Sequence, residues 1–125
     1  TRTVDVLKNV LNRMIEAYNY VLEALYTNKH PDADIPDAPV KLANKVRESY
    51  DEEIIDDNVE LYLLLRKILR APNPIKEEEY RRHVAMKTFI DGKEEVFNID
   101  LAMQYFEQIS EFFETIQRDI LDHDG

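Results

Sequence analysis

The acidic run from Asp51 to Glu60, DEEIIDDNVE, holds the residues whose types and spacing come nearest to metal chemistry. On a helical wheel Glu53, Asp57 and Glu60 share one flank, beside an apolar stripe of Ile54, Leu61, Leu65 and Ile68. Three carboxylates so placed can offer oxygen ligands to a hard cation such as magnesium, provided a neighbouring helix completes the shell. A second candidate lies near the end of the chain, where RDILDH sets Arg118 and His123 at an R-x4-H spacing. His83, beside Arg81 and Arg82, can touch an anion, but no nearby Ser, Cys or glycine-rich loop completes a catalytic set. His30 sits in a proline-rich loop and reads as solvated.

The acidic trio resembles the paired acidic helices of all-α nucleotide pyrophosphohydrolases, which implies a magnesium-dependent hydrolase using Glu53, Asp57 and Glu60. That family takes carboxylates from two facing helices. Here Glu16 and Glu23 lie opposite the apolar stripe of the first helix, and Glu107, Glu111 and Glu114 opposite that of the last, so half of such a site is missing within one chain. The plainer reading is a solvated helix start whose acids complement the helix dipole. The RDILDH segment resembles the motif of the HEPN ribonucleases, helical proteins in which such an arginine and histidine act on RNA. It covers six residues, and a HEPN motif is usually followed by another helix.

Composition narrows the classes further. The chain has no cysteine, which excludes disulfide frameworks, zinc knuckles and thiol catalysis. Its two glycines, Gly92 and Gly125, cannot build the phosphate-cradling loops of P-loop or Rossmann proteins. Sixteen basic residues against 26 acidic ones give a net charge of −10, a field that opposes phosphate backbones and anionic lipid. The expectation is therefore no nucleic-acid partner and no membrane. The N-terminus mixes Arg2, Asp5 and Lys8 into its apolar residues, and no apolar run reaches the roughly 18 residues of a span, so a cytoplasmic protein is expected.

The elements that must position these residues follow from hydrophobic spacing. Val4, Leu7, Leu11, Met14, Tyr18, Val21 and Leu25 step by three and four, giving a long amphipathic helix too wide in its stripe for a simple zipper. Tyr20 projects from its polar side and can mark a partner surface. NKHPDADIPDAP, residues 28–39, reads as an irregular loop, with Asp37 as the cap of the next helix. Between Val40 and Arg70 one long helix is possible, but Ser49-Tyr50-Asp51-Glu52 has the form of a capping box and favours a break near Ser49. The segment after that break, with Leu63, Leu64 and Leu65 on three sides, reads as the middle of a bundle.

After Ala71-Pro72-Asn73-Pro74, the i,i+4 pairs Glu77 with Arg81 and Glu78 with Arg82 suggest a short helix to about Arg82. HVAMKTFI-DG-KEEVFNI then reads either as a helix capped by Gly92 or as a hairpin turning on Asp91-Gly92. The hairpin is favoured, because a two-residue loop sets Met86 opposite Phe97 and Val84 opposite Ile99. A lone ribbon is marginal in water, so it must lie on the helices or pair with a second copy, which makes it the expected oligomer contact. Asp100 is expected to cap a last helix carrying Ala102, Phe106, Ile109, Phe113, Ile116 and Ile120, widened by Tyr105 and Phe112.

Taken together the pattern predicts a mainly α protein, one domain over residues 1–125, built as a bundle of four to five helices with a short β-hairpin at about residues 83–99. With no complete active site legible, the function expected is a small acidic protein-interaction or regulatory module, homodimeric, and more a binding protein than an enzyme. No cofactor is expected, with magnesium entering only through the hydrolase alternative at Glu53, Asp57 and Glu60, and RNA cleavage by Arg118 and His123 as the second alternative.

Overall fold

The computed structural model describes residues 3–71, 75–79 and 83–121, with side chains for residues 6–71 and 87–121. It is mainly α, with four helices and a small antiparallel sheet placed before the last of them: α1 (Thr3–Lys29), α2 (Pro39–Ser49), α3 (Glu53–Arg70), β1 (Ile75–Glu79), β2 (His83–Ile90), β3 (Lys93–Phe97) and α4 (Ile99–Ile116). A π-helical turn, Gln117–Leu121, closes α4. Among the described residues no helix is long and apolar enough to cross a membrane.

Helix α1 runs without glycine or proline, and buries Leu7, Leu11, Met14, Tyr18, Leu22 and Leu25 along the expected stripe. Pro31 follows its last turn. The expected cap of α2 is displaced by one residue. Pro39 takes the first helical position, so the flanking residue is Ala38, held extended at φ −81° and ψ 121° by the proline after it. Asp37 stands one place too early to cap.

The break between α2 and α3 falls where the sequence suggests, but for a different reason. Tyr50 is extended, at φ −126° and ψ 133°, and its buried hydroxyl donates to Leu25 O at 2.8 Å while accepting from Asn28 Nδ2 at 3.1 Å. Docking that ring on α1 requires a non-helical Tyr50, which rules out a capping box beginning at Ser49. Ser49 instead ends α2 and donates from Oγ to Lys45 O at 2.7 Å, while Glu52 flanks the start of α3 without a side-chain cap. His30 is not simply solvated either. Its Nε2 lies 3.0 Å from Ser49 Oγ and its ring 4.7 Å from that of Tyr26, tying the end of α1 to the end of α2.

Helix α3 is central, as its composition implies. Ile55, Val59, Leu61, Tyr62, Leu65 and Ile68 are buried, and Leu63 and Leu64 pack half-buried against the same core. One polar residue goes inside with them. Asn58, 2% exposed, accepts from the Tyr18 hydroxyl at 2.6 Å and donates to Ile54 O at 2.8 Å, so its amide is satisfied from both α1 and its own helix. Tyr62 donates to Asn19 and meets Tyr18 edge-on with centroids 5.7 Å apart. Two tyrosines and two asparagines thereby fix the register of α3 on α1.

The sheet is where the structure departs most from local sequence signals. Asp91 and Gly92 turn with φ of 53° and 79°, the left-handed pair of a type I′ hairpin, and β2 pairs with β3 with Met86 opposite Phe97. Ile99 lies beyond the sheet, as the first residue of α4, so it does not face Val84. The segment expected as a short helix is strand β1, antiparallel to β2 with Ile75 opposite Lys87 and Glu79 opposite His83. Charge pairs at i,i+4 contribute only a few tenths of a kcal/mol each, less than an open edge of β2 gains by being paired. That third strand answers within the chain the need for a partner that made the ribbon an expected oligomer contact.

Phe97 is fully buried and stacks on Tyr105 with centroids 6.2 Å apart, anchoring the sheet to α4. The last helix is capped by Asn98, whose Oδ1 accepts from Leu101 N at 2.9 Å, and Asp100 sits inside the first turn where its charge favours the dipole. Its buried face is Ala102, Ile109, Phe112 and Ile116, while Phe106, expected in the core, is 43% exposed.

Candidate nucleic-acid interface

The acidic trio is not assembled into a metal site. Glu53, Asp57 and Glu60 are all exposed, and Glu60 accepts from Arg47 Nη2 at 2.7 Å, with Asp56 4.0 Å from the same guanidinium. The nearest charge offered by the neighbouring helix is thus a cation, where a shared ion would need carboxylates. Among the described residues no three His, Cys, Asp or Glu side chains are grouped so as to hold a metal ion. Arg118 is solvent-exposed and bound to its neighbour Asp119 through two contacts of 2.8 and 3.2 Å, which raise its already high pKa; His123 lies outside the described residues. The side chains of Arg81, Arg82 and His83 also lie outside them.

What the sequence does bring together is positive charge. Residues 66–93 hold eight of the sixteen basic residues and four of the 26 acidic ones, a net charge of +4 against −14 for the remaining 97 residues. This stretch is the last turn of α3 followed by β1, β2 and most of the hairpin. Lys67 and Arg70 are exposed in the last turn of α3, where cations also complement the helix dipole. Lys67 Nζ reaches Asp91 Oδ2 at 3.0 Å, linking the helix end to the hairpin turn.

Arg66 lies half-buried over the Tyr62 ring at 5.8 Å, and its Nε is buried without a hydrogen-bond partner. Burial raises the Tyr62 pKa, and the nearby guanidinium of Arg66 pulls it back only in part. Between α3 and the hairpin runs an open cleft of about 460 Å³, floored by Leu63, Leu64 and Ile90, with Lys67 and Lys93 on its rim beside Glu60 and Glu95. On the other face of β2 stand Lys87, half-buried, and Phe89, 65% exposed.

Cations flanking exposed apolar and aromatic surface are the two components of a single-strand binding surface, one for the phosphates and one for the bases. The total charge of −10 conceals these residues. Electrostatic attraction to a phosphate is decided within about 8 Å at physiological salt, so a block of cations acts locally whatever the distant total. Counting charge in windows along the chain would have found the block.

The family model for the recombination, repair and ssDNA binding protein UvsY matches residues 38–123, more than two thirds of the chain and all of α2, α3, the sheet and α4. No match was found among curated proteins or among solved structures. The family match overturns the expectation of a generic protein-contact module, with its hydrolase and ribonuclease alternatives, and the expectation of no nucleic-acid partner. The chain belongs to the UvsY family of recombination, repair and single-stranded-DNA-binding proteins.

Proposed function

We propose that this protein binds single-stranded DNA in recombination and repair, holding the strand against cations at the end of α3 and on β2 and β3. The observation that carries this reading is the segregation of charge: the +4 segment lies wholly inside the family match, and 22 of the 26 acids lie outside the segment. Lys67, Arg70, Lys87 and Lys93 are the cations proposed to contact phosphates, Lys67 by exchanging its contact with Asp91. Each phosphate neutralised releases condensed counterions, so affinity is driven by salt-sensitive entropy and falls as salt rises.

The test is fluorescence anisotropy of a labelled oligo(dT) titrated with the protein at several salt concentrations. Four phosphate contacts correspond to a slope of log K against log salt of about −3 for a single strand. Replacing Lys67 and Arg70 together by Ala should weaken binding and make that slope shallower by about 1.4. No binding at low salt, or binding indifferent to both salt and these substitutions, would overturn the proposal.

A further inference from the structure

Resting on that reading, we propose that Phe89 is a stacking platform for an unpaired base, and the residue by which this surface prefers a single strand to a duplex. Strand alternation sets its direction. Thr88 is buried and Ile90 turns into the cleft against α3, so Phe89 between them faces outward and is 65% exposed. The ring therefore contributes little to the core. Its place on a strand, one residue from the hairpin turn, holds it in a fixed orientation, as a stacking surface requires.

The surrounding charges say which part of a nucleotide belongs there. Glu94 stands directly across from Phe89 on β3 and is exposed, so a phosphate above the ring would meet a carboxylate. A base would not, since its face is uncharged and the N–H groups at its edge can donate to that carboxylate. Lys87, two residues back on the same face of β2, is placed to take a flanking phosphate, while Lys93, opposite Ile90, lies on the cleft face of the sheet. In a duplex each base is already stacked on both sides and offers no free face, which is the origin of the discrimination.

The chain contains no tryptophan, so Phe89→Trp creates a single fluorescent reporter at this position. Wild type, Phe89→Ala and Phe89→Trp are titrated with oligo(dT), with an abasic oligomer of the same length and with a duplex, and their thermal unfolding is compared. Loss of one stacked base should weaken oligo(dT) binding by Phe89→Ala about five- to hundredfold. Affinity for the abasic strand and the duplex should change less than twofold. Phe89→Trp should bind oligo(dT) at least as well as wild type, with its emission quenched by that strand and not by the abasic one.

Equal oligo(dT) affinity for wild type and Phe89→Ala, or an unquenched Phe89→Trp complex, overturns the stacking role. If Lys67→Ala with Arg70→Ala still weakens binding in that case, the single-strand reading stands without it. If the wild-type protein binds no oligonucleotide at low salt, both fall.

Discussion

Asp91→Asn should tighten single-strand binding while leaving the fold intact. Asp91 Oδ2 holds Lys67 Nζ at 3.0 Å, and a lysine so engaged must break that contact before it can neutralise a phosphate. Their side chains are 55% and 79% exposed, and a pair of that exposure is worth about 0.2–1 kcal/mol. Releasing Lys67 should therefore raise affinity for oligo(dT) by about one-and-a-half- to fivefold at low salt, and less at high salt. The substitution suits the backbone, because Asp91 sits at φ 53° and asparagine followed by glycine is the preferred pair in this turn. Anisotropy titrations of wild type, Asp91→Asn, Lys67→Ala and the double variant form a cycle that isolates the coupling. The gain should vanish on the Lys67→Ala background, because no cation remains to be released. An equal gain there would mean that Asp91 acts only as a distant repulsive charge. An Asp91→Asn protein that melts normally and binds no better would remove Lys67 from the path of the strand.

Asn58→Leu strands the Tyr18 hydroxyl in the core and should cost about 1–3 kcal/mol, read as a lower urea midpoint. Adding Tyr18→Phe should recover most of the loss, because both partners are then apolar. Burial pushes the Tyr18 phenol well above its ordinary value of 10.0, with Tyr62 and Tyr105 shifted the same way. The unfolded chain thus ionises these groups first. Their contribution is complete well below pH 10 and is lost as the pH rises above it, so urea midpoints should fall progressively above about pH 10. Tyr18→Phe should make that fall shallower.

The parts of the fold legible in the sequence were those where one local signal met no competitor. The stripe of α1 has no breaker, and the Asp91-Gly92 dipeptide admits the left-handed turn that sets Met86 opposite Phe97. The signals that failed were local ones overruled by a distant contact. Ser49 to Glu52 spells a capping box, yet Tyr50 must be extended to reach Leu25 O. Glu77 to Arg82 spells a helix, yet β2 presents an edge that Ile75–Glu79 completes. The site was hidden differently, by averaging, since a total of −10 conceals a segment of +4. Phe89 was hidden by its own strand, where an outward aromatic does not disturb the alternation that identifies the hairpin.

That averaging also bears on how the surface works. The 97 residues outside the segment carry −14, so the protein as a whole repels a polyanion at long range. Attraction prevails only where a strand comes within roughly 8 Å of the cations at the end of α3 and on the sheet, which selects for approach in one orientation. A uniformly basic protein would instead collect DNA over its whole surface, duplex included. Here the acids of the α1–α2 loop, the start of α3 and α4 disfavour a strand elsewhere, and Phe89 offers an unpaired base a face to stack on, so repulsion and stacking act toward the same selectivity.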